Sequence, residues 1–280
     1  MTAVRRMADT DLNAADELRR LAGWNQTIAD WRQLLSFEPH GCFVAVENER
    51  VVGTVTTTTY EPAMAWIGMM LVHPAHRGRG IGTLLMRAAM DYLHNRGIQC
   101  IRLDATPAGR AVYEKLGFVP EWALTRFEGT PCSPVNTADA RELVEADWPA
   151  VEELDAVAFG VVRRPILRGL AAASRRALVI HDERSILGYG MLRPGSSCDY
   201  LGPLVSAASH LAMPLIASLL RHSAGRPVFW DVPDENRVAS ELVRRFSFQP
   251  VRALTRMRFG SNIIPSDPRA QLGIADPSLG

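Results

Sequence analysis

Residues 71–83 read Leu71-Val72-His73-Pro74-Ala75-His76-Arg77-Gly78-Arg79-Gly80-Ile81-Gly82-Thr83. A largely apolar run from Ala65 ends at Val72, a basic glycine-rich turn follows, and helical periodicity begins at Gly80. Backbone N–H groups at a helix N-terminus, freed of side chains by glycine, form a cradle for anions. Gly78, Gly80 and Gly82 let the backbone approach a phosphate closely, and Arg77 and Arg79 add charge-assisted contacts. Three glycines weaken a helix start unless the backbone is needed there. A phosphate or pyrophosphate ligand is therefore favoured over a bare turn. A Walker loop is excluded because no Gly-Lys-Ser/Thr occurs here. The dinucleotide fingerprint is excluded by the glycine spacing.

Upstream of this stretch, Asp9 or Thr10 can cap a helix carrying Leu12, Ala15, Leu18 and Ala22. Thr27 with Asp30 three residues on forms a capping box for a second helix. Strands are predicted over 42–46, 51–59 and 65–72, where β-branched and apolar residues cluster. Downstream, the helix from Gly80 carries the stripe Ile81, Leu84, Leu85, Ala88 and Tyr92 and stops at Gly97. A strand over 98–103, a short helix over 108–116 and terminal strands over 118–127 complete a mixed α/β domain with one sheet flanked by helices.

The second half repeats the first. Ala123-Leu124-Thr125-Arg126 recurs as Ala253-Leu254-Thr255-Arg256, an offset of 130, and at that offset Phe118 falls on Phe248 and Thr106 on Asn236. The expected division is a domain over 1–129, a linker over 130–136 that continues the turn-rich run from Gly129, a second domain over 137–260, and a Pro- and Ser-rich tail over 261–280, poorly ordered or draped. After Leu204-Val205 the second half has neither glycine triplet nor arginine, so one cofactor per chain is expected.

The chain has 280 residues, 47% hydrophobic and 22% charged, with a formal net charge of +1. That balance gives no long-range pull toward nucleic acid or anionic membrane. Four scattered cysteines without C-x-x-C spacing, no apolar leader and no long apolar run point to a cytoplasmic protein without a metal site.

The pattern Arg77-x-x-Gly80-x-Gly82, the preceding Val-His-Pro and the later Tyr113-Glu114-Lys115-Leu116-Gly117-Phe118 resemble the GCN5-related N-acetyltransferase (GNAT) superfamily over nearly all of residues 3–128. The whole chain resembles tandem GNAT proteins with a degenerate second copy. The resemblance implies an acetyl-CoA-dependent N-acetyltransferase acting on the primary amine of a small molecule by direct attack in a ternary complex. The alternatives are acetylation of a protein lysine or N-terminus, and a non-catalytic acyl-CoA-binding sensor.

By the same resemblance, Arg77, Gly78, Arg79, Gly80, Ile81, Gly82 and Thr83 hold the pyrophosphate of acetyl-CoA. Leu71 and Val72 offer backbone groups to the pantetheine where their strand splays from the next, and Thr106 stands where the family often has asparagine. Tyr113 would protonate the departing thiolate; a phenol stays protonated at neutral pH, and a packed core tyrosine is the competing reading. Trp24 and Asn25 lie in the segment that covers the acceptor side. Asp104 is a candidate for meeting a cationic acceptor or for capping a turn, and Asp231, in the second half, for lining the first domain's acceptor cleft or for ordinary loop chemistry. The general base stays open between Glu61, His73, a water chain and an acceptor amine of low pKa that needs none.

Overall fold

The computed structural model describes residues 1–60, 64–131, 140–182, 185–223, 225–261 and 266–280. In chain order the first half runs β1 (Ala3–Arg6), α1 (Leu12–Leu21), α2 (Ile28–Phe37), β2 (Phe43–Glu47), β3 (Arg50–Tyr60), β4 (Met64–Val72), α3 (Ile81–Asn95), β5 (Cys100–Ala105), α4 (Pro107–Lys115) and β6 (Val119–Gly129). The second half repeats that order: β7 (Ala140–Glu142), α5 (Trp148–Phe159), α6 (Arg164–Ala173), β8 (Arg176–His181), β9 (Ile186–Arg193), β10 (Asp199–Ser206), α7 (Ser209–Leu220), β11 (Val228–Pro233), α8 (Arg237–Arg245) and β12 (Gln249–Gly260). One short strand, β13 (Gln271–Gly273), follows.

Local chemistry explains several of these starts. Thr27 accepts from the Asp30 N–H while the Asp30 carboxylate accepts from the Thr27 N–H, so the capping box closes in both directions. Helix α3 begins after Gly80, whose φ of 78° lies in the left-handed region that glycine enters without steric cost. Its buried row is Ile81, Leu85, Met86, Ala89 and Leu93, not the expected Leu84, Ala88 and Tyr92. The i, i+4 row from Ile81 faces β3 and β4, which turns Leu84 out to 43% exposure.

The strands form one sheet in the order β1-β2-β3-β4-β5-β12-β6-β11-β10-β9-β8-β7. The expected boundary near residues 130–136 falls between β6 and β7, and residues 132–139, Cys132 among them, lie outside the described residues. The sheet does not divide there, because the halves exchange their last strands. β12 lies between β5 and β6, and β6 pairs with β11. The repeated tetrapeptides meet antiparallel at this crossing, with Leu124 opposite Leu254. Each delivers an arginine to the other half. Arg126 grips Asp231 through Nε and a terminal nitrogen (2.8 and 2.6 Å), and Arg256 grips Asp104 likewise (2.9 and 2.8 Å). Such paired forks combine charge with fixed geometry.

Of the two expectations for the tail, poorly ordered or draped, the described tail residues follow the second and pack on the sheet. β13 pairs with β10, Ile274 and Ala275 are fully buried, and Leu279 packs in the core. Apolar burial outweighs the turn-forming composition here. No helix among the described residues is long and apolar enough to cross a membrane.

Candidate active site

β4 and β5 run parallel, but their register covers only Met64–Trp66 against Cys100–Arg102. Beyond Trp66 the strands diverge. Met69 has φ 48°, the register with β3 shifts between Thr54 and Thr56, and the Thr54 hydroxyl donates to the Met69 carbonyl at 2.8 Å. This irregularity turns β4 away from β5 and leaves the edge from Ile67 to Val72 without a strand partner among the described residues. Backbone groups on such an edge call for hydrogen-bond partners, and an extended ligand can supply them as an added strand.

A cavity of about 670 Å3 occupies the fork. At one end it meets the glycine turn, with Arg77, Gly78, Gly80, Ile81, Gly82 and Thr83 on its wall, and along its flank lie Leu71, Val72 and Thr106. A Cβ built on Gly78 or Gly80 would meet nothing within 4 Å, so the backbone there is bare to a ligand. The Arg77 Nε donates to the Val72 carbonyl at 3.1 Å, which ties the arginine to the mouth of the fork.

Arg79 is placed differently from the expectation. Its guanidinium reaches Glu47 at 3.0 Å and the His76 ring at 3.1 Å, and it does not line the cavity. Hydrogen bonds, chiefly from the Thr2 hydroxyl and then from His76, hold the Glu47 carboxyl below the usual carboxylate range, with the Arg79 charge adding to the effect. Arg79 thus braces the turn from behind.

Tyr113 lies on α4 and lines the cavity. It is 8% exposed, and burial pushes its phenol up to about 12. Thr106 caps α4 by accepting from the Gly109 N–H at 3.2 Å.

The far end is lined by Trp24, Gln26, Asp104, Arg126, Arg252, Leu254, Pro277 and Ser278, so the second half and the tail wall the first half's fork. Asp104 is there, but both its oxygens are occupied by Arg256; burial pushes its carboxyl up, against the pull of that arginine. Two other residues proposed from the sequence are elsewhere. Asn25 accepts from the backbone N–H groups of Ser197 and Cys198 and donates to the Cys198 carbonyl, which clasps the halves together. Asp231 is fully buried between Arg126 and the Tyr200 hydroxyl. Short polar side chains between helices or at strand ends satisfied buried partners here instead of a ligand. Of the base candidates, His73 accepts from the Ala75 N–H as a turn cap, and Glu61 lies outside the described residues.

Comparison with known proteins bears on this geometry. The sequence model of the acetyltransferase (GNAT) family matches residues 10–118, and that of the acetyltransferase (GNAT) domain matches residues 151–273. The chain is a tandem GNAT protein. It is an acyltransferase of that superfamily. This tandem GNAT protein is 24% identical to a holothin acyltransferase of a Pseudoalteromonas species over 240 residues, covering 85% of this chain and 81% of that one. It is 35% identical over 109 residues to a mycothiol acetyltransferase of Nocardia farcinica, a match spanning 35% of this chain and 36% of that one. Among solved structures, a putative acetyltransferase from Pyrococcus horikoshii superposes with a TM-score of 0.86 at 25% identity, covering 100% of this chain and 96% of that one.

Arg126, Arg252, Leu254, Pro277 and Ser278 were not singled out from the sequence. A signal existed for Arg126: the repeated tetrapeptide ends in arginine on an apolar strand, where an unpaired charge would be costly.

Proposed function

We propose that this tandem GNAT protein transfers the acetyl group of acetyl-CoA to the primary amine of a small molecule, both substrates being bound together. The observation that carries this reading is the single cavity that joins the glycine turn, the unpaired edge of β4, Tyr113 and an end closed by the second half. The residues present suit acetyl-CoA. Backbone donors of Gly78 to Thr83 with Arg77 would hold its pyrophosphate. The edge at Leu71 and Val72, with the Thr106 hydroxyl across the fork, would bind its amides.

Acetyl-CoA supplies the activated acyl group. The amine nitrogen bonds to the acyl carbon and the C–S bond breaks. Tyr113, kept protonated by burial, gives its phenolic proton to the sulfur, and the surplus proton of the amine, relayed by water, restores the phenol. Asp104 is tied to Arg256 and takes no proton in this scheme. The walled far end favours a small acceptor over a protein chain, in keeping with relatives named for holothin and mycothiol.

The test is thiol release from acetyl-CoA across a panel of primary amines, with lysine-containing peptides and N-terminal peptides alongside. Turnover confined to small amines supports the reading. Turnover confined to peptides, or tight acetyl-CoA binding with no turnover, overturns it.

A further inference from the structure

The far end of the cavity holds four arginines within or beside its wall, and three are accounted for. Arg126 is bound by Asp231 and Arg256 by Asp104. Arg193 donates to the carbonyls of Gly202 and Ala275, with Asp30 and Asp276 within 4 Å. Arg252 is different. It is half-buried and lines the cavity, yet no hydrogen bond or ion pair to its guanidinium occurs among the described residues, and its Nε is buried without a partner. A guanidinium withdrawn from water without an anion is costly.

We propose that Arg252 anchors a carboxylate on the acceptor, so that the substrates are amino acids and related amines that carry a carboxylate. This rests on the acyl-transfer reading above and names the substrate class for that same site.

The position of Arg252 separates it from the cofactor's phosphates. Along β12 the side chains alternate, and no register shift falls between Arg252 and Arg256. Leu254 packs with Leu124 and Ile274, and Arg256 stacks on Trp66 and Trp122. Arg252 shares that face of the sheet. Helix α3 and its phosphate cradle belong to the opposite face, where Ile81 and Leu85 pack with Ile67 and Leu103.

Contacts argue for one carboxylate. The two ion pairs beside Arg252 are neutral as units, and Asp30 and Asp276 are engaged by the Thr27 cap, Gln26 and Arg193, so a single guanidinium fork is left without a contacting anion, and such a fork matches one carboxylate through two parallel hydrogen bonds. Burial, then the nearby Arg126, depress the Arg252 pKa, the direction expected where an anionic partner is needed; Asp231, Asp276 and Tyr200 act against this from a distance. Gln26, on the same cavity wall, adds a complementary group. Its amide nitrogen is spent on Asp276 (3.1 Å to each oxygen), and its buried Oε1 has no donor, which suits an amine N–H.

The experiment compares free amino acids with their carboxamides and with phosphoethanolamine as acceptors, in wild-type protein and in Arg252→Gln, by thiol release. Acids should exceed amides in kcat/KM by about tenfold to a hundredfold, the range for a hydrogen bond to a charged group. Arg252→Gln should erase that difference while leaving the dissociation constant of acetyl-CoA unchanged. Equal use of acids and amides, a preference for phosphoethanolamine, or an unaltered preference in Arg252→Gln overturns the proposal. Failure of every amine is failure of the acyl-transfer reading instead. In that event N-acetylamino acids and their amides, titrated calorimetrically into CoA-saturated protein, read the same preference. Equal or absent binding of the acids then overturns the carboxylate site.

Discussion

The fork between β4 and β5 and its counterpart between β10 and β11 are built alike and differ in how their edges are satisfied. In both, the parallel pair is hydrogen-bonded only at its start: Met64–Trp66 with Cys100–Arg102, and Asp199–Tyr200 with Val228–Phe229. In the second half, β13 lies in the fork. It pairs with β10 through Leu204 and Val205, the Leu272 carbonyl accepts from the Trp230 indole, and the Ile274 N–H donates to the backbone carbonyl of Asp231 on β11. Asn236, the counterpart of Thr106, caps α8 and donates to the Arg269 and Gln271 carbonyls. The chain's own peptide groups thus do in one half what the amides of a pantetheine arm would do in the other. A splayed edge must be satisfied; the second half does so with its own chain, and in the first half the proposed cofactor would.

The sharpest way to break this comparison is a charge at each helix start. Gly80→Asp places a carboxylate among the backbone donors of α3, where it repels phosphate and fills the bare approach, a like-charge cost of several kcal/mol. Acetyl-CoA binding should fall by at least about a hundredfold in calorimetry on those grounds. Ala208→Asp at the start of α7 should leave affinity and a stoichiometry of one per chain unchanged. Loss of binding in the second variant would mean that α7 also serves the cofactor.

Next in size is Tyr113→Phe, since the matching residue in the second half is Val243. Turnover should drop by about 10² to 10⁴, the range for a lost general acid, with the acetyl-CoA dissociation constant nearly constant. Burial raises this phenol to about 12, so its proton-bearing form persists well above neutrality and is lost only as the pH approaches that value. No alkaline fall in rate below about pH 11 should therefore trace to Tyr113. A fall near pH 9 that vanishes in Tyr113→Phe would contradict the assignment.

The exchanged strands give the third test. Asp231→Ala strands Arg126 without its anion in a buried crossing, a change expected to destabilise by about 3–5 kcal/mol in denaturant unfolding. A much smaller loss would mean that the crossing is not held by its reciprocal ion pairs. Smallest is Asn236→Ala, which uncaps α8 and orphans two carbonyls of the segment around β13, at about 1–3 kcal/mol. Faster amide exchange confined to residues 269–274 is the expected signature.

Much of this was legible in the residues alone, because the signals are local. Helix and strand periods, the capping box at Thr27 and Asp30, and the glycine turn ahead of α3 depend on residues within one or two turns of each other. The repeat was legible too, through the shared tetrapeptide and the recurring element order, and it extends to a pair of ion pairs: Arg5 with Asp11 and Arg141 with Asp147, both at 2.6 Å.

Tertiary structure alone decided where the last strands go, what fills the second fork and which residues close the first. Strand exchange leaves no mark on local propensity, since β6 and β12 read as the same strand whichever β5-type neighbour each adopts. The tail read as poorly ordered or draped because Pro, Ser and Gly are turn residues, and only the fold shows that Ile274 and Leu279 find apolar surface distant in sequence. Arg252 reads as an ordinary charged residue on a strand; only the meeting of β12, β6 and the tail over the fork makes it a half-buried cation facing a cavity. Spacing carries information across a few residues, whereas burial and charge pairing are set by whatever the folded chain brings alongside.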